Sequence, residues 1–548
     1  MASHPSVAAR LSKLQADQRS AATAPPGPVL CVAPAGSGKT TTLVARIAWL
    51  VDGGVEPETI CAITFNRRAA EELRERIEYA LAPLGDDLAT RIRIRTFHAL
   101  GLEVLRAAGE HVTPLLERDE VMRAVRPDLP DGHRRAIDAI LSRFKLDLDV
   151  DPEAIERDPG AGPVARTYAA YEAEIRRRGG LDFDDLVART LRLLERDVAL
   201  LGTWRGRCRH LLVDEAQDLD RAQLRLALLL AAPANQVFLV GDDDQSIYGW
   251  RLADVRRLLR LADESLPGLR RVDLETNYRC PAAVLVRAVR LVEHNHERFA
   301  KVIRAGPNAE GSLVLAPSAA DDVDRATAVL ASWPDDGGTR AVLARTNREL
   351  LPVVAAALRL GQPFRAADLI LPVESPDVEA LLAAAAAFDR GGSPLLALGR
   401  LRASRAPVSP PHANGDEQHA DADTLAALLG WAAGARSLAA LADAVGIVRA
   451  RLGELRRDDA LLTLATVHGT KGLEFDHVAV IGLDEGRFPS ARSVAESLEP
   501  ERALEEERRL AYVAWTRARR SLTLVYDPGA PSSFLLEAFD ATELGLAA

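Results

Sequence analysis

The chain has 548 residues, a formal net charge of −10, and 48% hydrophobic against 27% charged residues. This length exceeds what one hydrophobic core organises and points to roughly two to four domains, while the composition is that of an ordinary globular protein. No apolar run is long enough to span a bilayer, the first ten residues lack a secretory layout, and the cysteines at 31, 61, 208 and 280 show no metal-ligand spacing. The expectation is a cytoplasmic protein without a membrane partner. The negative charge does not advertise a nucleic-acid binder, but a local basic groove matters more than the whole-chain sum. Only five lysines accompany 64 arginines, so Lys39 and Lys471, both inside motif-like stretches, stand out.

In chain order, the apolar strand Val29–Val32 runs into Ala33–Thr40, Ala-Pro-Ala-Gly-Ser-Gly-Lys-Thr. Thr41–Leu50 follows with Leu43, Ile47 and Leu50 at helical spacing. A strand, a glycine-rich loop, Gly-Lys-Thr and a helix are the parts that cradle a triphosphate. Ala35, Gly36, Ser37, Gly38, Lys39, Thr40 and Thr41 form the candidate cradle. Gly36 and Gly38 allow backbone N–H groups to turn toward phosphate oxygens. Lys39 reaches the β/γ-phosphates, and the Thr40 hydroxyl sits on Mg²⁺. The bland alternative for the loop alone is a glycine turn before an ordinary helix. Just upstream, Gln18 carries both a donor and an acceptor, as pairing with an adenine edge requires.

A second strand, Ile60–Thr64, leads into Phe65-Asn66-Arg67-Arg68 and a charged amphipathic helix. A third, Ile92–Arg95, leads into Thr96-Phe97-His98. Both place a polar residue and an aromatic at the carboxyl end of a strand, where open α/β sheets bind ligands. From about 100 to 180 the pattern is helical and interrupted by prolines, as in an insertion. At Leu181–Leu186, three carboxylates favour capping of a helix start over metal binding.

Leu211-Leu212-Val213 then delivers Asp214 and Glu215 at a strand end, as a Mg²⁺–nucleotide site needs. Asp214 is expected to hold the ion, and Glu215 to orient and deprotonate the attacking water. Val237–Val240 leads into Gly241–Arg251, where Gln245 is placed to sense the terminal phosphate. Tyr248 and Trp250 offer flat faces for base stacking. Aromatics make up only 5% of the chain, so two in one polar loop favour a base platform over core packing.

Together with Leu274–Arg279, Arg345-Thr346-Asn347, Val467–Phe475 and Tyr512–Ala518, these stretches resemble a superfamily 1 helicase of the UvrD/Rep/PcrA group. They occur in the family's order and span all but two insertions and the termini. The resemblance implies an α/β fold of two RecA-like (P-loop) parallel-sheet domains, each with a mainly helical insertion. Residues 1–99 with 181–273 are expected to form domain 1A, 100–180 insertion 1B, 274–367 with 458–548 domain 2A, and 368–457 a shortened insertion 2B.

It further implies ATP and Mg²⁺ as cofactors and 3′-to-5′ translocation on single-stranded DNA. Tyr278 is expected to stack on adenine, Arg279 and Arg517 to reach the γ-phosphate, Arg251 to make a third such contact, and Glu474 to meet the ribose. Phe65, His98, Tyr248, Trp250, Arg345, Asn347 and His468 are expected to face DNA. The implied activity is an ATP-dependent DNA helicase in repair, recombination or replication, acting on single strands and ss/ds junctions. The alternative is an ATP-gated DNA-binding subunit, or a protein-displacing translocase that unwinds little, working with a partner nuclease or repair factor.

Departures from the family pattern are Asn66-Arg67-Arg68 for Thr-Asn-Lys and Leu252 for a glycine. The interruption Ala406–Asp423 reads as a flexible loop with solvated His412 and His419. No nuclease domain is expected after Tyr526.

Overall fold

In the computed structural model, residues 3–85, 87–129, 131–147, 150–158, 160–307, 309–405 and 417–546 are described. Packing divides the chain into two units. Met1–Arg126, Ile137–Gly311 and Arg492–Thr516 form the first; Pro127–Ala136, Ser312–Ala491 and Arg517–Ala548 form the second. Each is built on a six-stranded sheet, and the expected α/β architecture with two parallel sheets is present.

The first sheet contains β1 (Val29–Val32), β2 (Ile60–Thr64), β3 (Arg93–Thr96), β4 (His210–Val213), β5 (Val237–Gly241) and β6 (Arg270–Asp273), in the order β3-β2-β4-β5-β1-β6. Every pairing is parallel. The central strands are unbroken apolar runs because both faces are covered. Leu30, Val32, Cys61, Ile63, Leu211, Val213 and Leu239 enter one core with Leu191, Trp204 and Leu226. Their neighbours Val29, Cys31, Ile60, Ala62, Leu212, Phe238 and Val240 enter the opposite core with Leu43, Ile47 and Leu73. That alternation is the period of two that a strand imposes. All four cysteines are buried thiols.

After β3 the chain forms helices Phe97–Ala107, Arg118–Val125, Asp131–Leu146, Pro152–Arg157 and Pro163–Arg178. Their interior is pinned by Lys145, whose ammonium lies 2.8 Å from Glu172, 2.8 Å from Asp182 and 3.0 Å from Asp185. Asp182 and Asp185 also accept each other's backbone N–H, closing the turn before helix Asp185–Arg196. The acidic stretch at 181–186 therefore caps a helix and neutralises a buried lysine.

A short parallel pair, β7 (Thr276–Asn277) and β8 (Arg304–Ala305), follows in the first unit. The second sheet contains β9 (Ser312–Pro317), β10 (Arg340–Ala344), β11 (Phe364–Arg365), β12 (Leu462–Thr466), β13 (Phe475–Val480) and β14 (Ala518–Tyr526), in the order β11-β12-β10-β13-β14-β9. These pairings too are all parallel. Between β11 and β12 lie helices Asp377–Ala386, Pro394–Arg405, Glu417–Ala432 and Leu438–Leu455. No helix among the described residues is long and apolar enough to cross a membrane.

Several local expectations need correction. The loop expected over Ala406–Asp423 is helical from Glu417 onward, because Leu425 and Leu428 bury their side chains in the second unit's core. His412 and the side chain of His419 lie outside the described residues. Helix Pro500–Trp515 starts in a charged stretch and buries Leu510–Trp515 completely. The edge strands β6, Arg-Arg-Val-Asp, and β11, two residues long, carry no apolar run and escaped the pattern.

Candidate functional site

Parallel strands place all their carboxyl ends on one edge, so the loops after β1, β2, β3, β4 and β5 emerge together. The loop after β1 turns through Gly36 (φ +66°) and Gly38 (φ +84°), and Gly38 precedes helix Lys39–Asp52. A Cβ on Gly36 would lie 2.9 Å from Asn277 Nδ2 and 2.7 Å from Arg279 Cβ; one on Gly38 would lie 2.6 Å from Gln18 Nε2. The glycines therefore supply a left-handed backbone and also admit close neighbours. Gln18 Nε2 donates to the Ser37 carbonyl (2.8 Å), Asn277 Nδ2 to Ala35 (2.6 Å), and the Tyr278 N–H to Gly36 (2.8 Å). Thr40 and Thr41 lie in the first turn of the helix.

Lys39 Nζ stands 3.5 Å from Glu215 Oε2 at the end of β4. Glu215 has a left-handed backbone, φ +53°, a conformation that costs a non-glycine residue about 1–3 kcal/mol and recurs at functional positions. Burial, reinforced by the charge of Glu215, pushes the Asp214 carboxyl up to about 7. Such a carboxylate, together with the Thr40 hydroxyl, suits a hard divalent cation, whose charge would relieve the repulsion.

Gln217, to which no role was assigned from sequence, joins two loops. Its Nε2 donates to Glu215 Oε2 (2.6 Å) and Asp218 Oδ2 (3.3 Å), and its Oε1 accepts from the Asp242 N–H (3.0 Å). Gln245 Nε2 donates to Asp242 Oδ2 at 2.6 Å. The loop's three aspartates converge on Lys301, 2.9 Å from both Asp242 and Asp244, and Arg298 forks onto Asp244 at 2.9 and 3.0 Å. Burial alone would lower the Lys301 pKa; the three carboxylates more than reverse this and raise it. Those carboxylates are structural partners of a buried ammonium.

Arg279 follows directly. Its N–H donates to Asn277 Oδ1 (2.9 Å), and Nη1 donates to the Thr516 carbonyl (3.3 Å) at the end of helix Pro500–Trp515. Burial lowers its pKa, with nearby Cys280, Tyr512 and Glu215 acting in the opposite sense. Tyr278, whose backbone N–H meets the phosphate loop at Gly36, is 45% exposed.

A second group lies on the same sheet edge. Phe65 and Tyr248 stack with centroids 5.1 Å apart and planes 8° from parallel, and Tyr248 meets Trp250 edge-on at 6.1 Å. Trp250 is 60% exposed. The Arg251 guanidinium, expected at the terminal phosphate, lies over the Trp250 ring at 4.7 Å and the Tyr248 ring at 5.8 Å, and so belongs to this aromatic group in the structure. His98 stacks on Phe183 at 3.9 Å. Burial pushes its pKa down to about 4, with Asp184 opposing and Arg251 assisting. His98 is therefore neutral near pH 7. Phe183, half exposed, passed unnoticed in an acidic stretch.

In the second unit the predicted residues fall at two ends of the sheet. Arg345 and Asn347 leave the carboxyl end of β10, and His468 that of β12. Asn347 Nδ2 donates to the Asp368 carbonyl at 3.4 Å. Glu474 and Arg517 instead precede β13 and β14, one strand length away. Arg517 is buried, with Nη1 on the Leu473 carbonyl at 3.0 Å, and Glu474 pairs with Arg519.

A glycine-rich loop between a buried parallel strand and a helix, with a lysine facing a carboxylate pair two strands away, defines a P-loop nucleotide-binding protein. Residues 14–265 match the UvrD/REP helicase N-terminal domain, and residues 430–528 the UvrD-like helicase C-terminal domain. The chain belongs to the UvrD/Rep helicase family. It is 30% identical to the ATP-dependent DNA helicase PcrA of Leuconostoc citreum, over 91% of this chain and 80% of that one. It is 29% identical to DNA helicase II of Escherichia coli K12, over 94% and 84% respectively. With PcrA of Staphylococcus aureus NCTC 8325 it shares 33% identity over 54% of this chain and 42% of the relative.

Proposed function

We propose that this chain is an ATP-dependent DNA helicase that translocates 3′ to 5′ on single-stranded DNA and opens duplexes at ss/ds junctions. The proposal places it in the cytoplasm, in repair, recombination or replication. The observation that carries it is the placement of Lys39, Glu215 and Arg279 around one phosphate loop, with the aromatic group Phe65–Tyr248–Trp250 on the same sheet edge. Similarity to proteins named as DNA helicases supports the substrate class; the polarity rests on the family resemblance of the motifs. The domain assignment made from sequence, with insertions at 100–180 and 368–457, forms part of the proposal.

In this reading the backbone of Ala35–Thr41 and Lys39 bind the triphosphate, while Gln18 and Tyr278 flank the base. Glu215, oriented by Gln217, takes the proton from the attacking water, and Gln245 senses the terminal phosphate. Arg279 provides planar donors for charge developing on the γ-phosphoryl oxygens; Arg517 is assigned the same role, and Glu474 the ribose, on the family likeness. Thr40 and Asp214 would hold Mg²⁺, which screens phosphate charge when bound. Phe65, Tyr248 and Trp250 stack on bases, with His98, Arg345, Asn347 and His468 along the strand. Arg251 is assigned here to the aromatic group.

Strand displacement on 3′-tailed, 5′-tailed and blunt duplexes, beside ATPase with and without single-stranded DNA, tests the proposal. Unwinding of the 3′-tailed duplex and DNA-stimulated ATPase are expected. ATPase indifferent to DNA would overturn the proposal. Stimulation without displacement or translocation would instead mark an ATP-gated subunit.

Trp250→Ala is expected to weaken single-strand affinity by about 1–3 kcal/mol, roughly 5- to 150-fold in Kd, with ATP affinity unchanged. Fluorescence anisotropy with a labelled oligonucleotide measures it. An unaltered Kd would mean that the ring is not a base contact.

A further inference from the structure

One helix touches both functional groups of the first unit, at different points along its length. Near the middle of Pro500–Trp515, Glu506 Oε1 accepts the backbone N–H of Gly249 at 2.9 Å. Gly249 is the residue immediately before Trp250. One turn earlier, Arg502 Nη2 lies 2.9 Å from Asp254, just beyond the aromatic loop, and Arg502 Nε lies 2.9 Å from Glu297. At the helix's far end, the Thr516 carbonyl receives Arg279 Nη1 at 3.3 Å and Cys280 Sγ at 3.5 Å. Glu506 and Thr516 are ten residues apart, about 15 Å along a helix.

The helix cannot bend freely between these points. Leu510–Trp515 is buried, Arg508 Nη1 donates to Asn295 Oδ1 at 2.6 Å, and Glu505 accepts the N–H groups of His296 (2.8 Å) and Glu297 (3.2 Å). A clamped helix therefore joins the carbonyl that holds Arg279 to the backbone N–H next to Trp250.

We propose that Glu506 is a positioning residue that couples the nucleotide-side arginine to the base platform, through its hydrogen bond to the Gly249 N–H. It touches neither ATP nor DNA in the reading above. The inference rests on that reading and deepens it: it says how occupancy of one site is felt at the other. Coupling of this kind is reciprocal for binding, so nucleotide should alter DNA affinity, and DNA nucleotide affinity, by the same factor through this contact; faster turnover with DNA is a separate readout of the same link.

The glycine provides an independent probe from the opposite side. Gly249 has no positive φ, yet a Cβ there would collide with Glu506 Oε2. Gly249→Ala therefore displaces the same carboxylate without straining the backbone.

The experiment measures ATPase with and without oligonucleotide, and oligonucleotide Kd with and without a non-hydrolysable ATP analogue, on the full chain. Glu506→Ala is expected to cut DNA stimulation by about 3- to 30-fold, leave ATPase without DNA within about twofold, and flatten the nucleotide dependence of Kd. Glu506→Gln, which retains the accepting oxygen, should keep most of the stimulation. Gly249→Ala should reproduce the loss in the wild-type background and add nothing to Glu506→Ala, because the carboxylate it displaces is gone. If Glu506→Ala folds poorly, Gly249→Ala and Glu506→Gln still decide the matter.

Unchanged stimulation in Gly249→Ala, or additive losses in the double variant, would overturn the coupling. A wild-type protein with no stimulation at all would overturn the helicase reading and the coupling with it. A stimulated wild type beside an equally stimulated Glu506→Ala would overturn the coupling alone.

Discussion

Arg279→Ala is expected to slow DNA-stimulated ATP hydrolysis by about 10³–10⁵-fold, the range for loss of an arginine finger, while nucleotide and single-strand binding persist. Two features support so large an effect. The side chain is held against the phosphate loop, its Cβ facing Gly36 and its backbone N–H fixed by Asn277, so little reorganisation precedes its use. It is also desolvated, which lowers its pKa and strengthens its attraction to a developing negative charge. Arg279→Lys should rescue little, because an ammonium lacks the planar fork that meets two phosphoryl oxygens. Single-turnover hydrolysis with excess enzyme separates this loss from any change in product release; a rate within tenfold of wild type would remove Arg279 from the chemistry.

Glu215→Gln is expected to reduce turnover by about 10²–10⁴-fold with near-normal binding of ATP and DNA. The replacement keeps the shape of the side chain and one oxygen able to accept from Gln217, so the loop geometry survives. It removes the proton acceptor. The left-handed backbone at Glu215 (φ +53°) aims that carboxylate from the end of β4, with Lys39 Nζ 3.5 Å away. Equilibrium binding of a fluorescent nucleotide, run beside steady-state ATPase, checks both halves. Hydrolysis near the wild-type rate would assign the base elsewhere.

Much of this arrangement is legible in the chain. Strands such as Val29–Val32 and Ile60–Thr64 announce themselves because a parallel strand covered on both faces has to be apolar throughout. The loop residues follow, since whatever succeeds such a strand must emerge at its carboxyl end. The edges are less visible: β6 reads Arg-Arg-Val-Asp and is half exposed, leaving no hydrophobic signal.

Through-space partners are invisible for a different reason. The Asp242–Asp244 run looks like solvated or ligand-binding acid until Lys301, distant in sequence, is seen to fill it. Lysine usage held a partial clue. In a chain that writes arginine almost everywhere, Lys145 and Lys301 each sit among three buried carboxylates, where a compact ammonium fits and a planar guanidinium does not. Leu252 is a second partial clue: it stands where the family pattern carries a glycine and adopts φ +68°, a left-handed backbone that glycine takes without strain. Arg251 shows how far a motif reaches, because the motif supplied a residue while its neighbours Trp250 and Tyr248 decided where the guanidinium rests.

The first unit is assembled from three separated stretches, the last being Arg492–Thr516. On a ribosome adding about 5–20 residues per second, the intervening residues 312–491 take on the order of 10–40 s to emerge. Throughout that interval the first unit lacks Leu510, Tyr512, Val513 and Trp515, all buried in the finished chain. The carbonyl that anchors Arg279 is that of Thr516, so the phosphate loop lacks this anchor until the third stretch has been added.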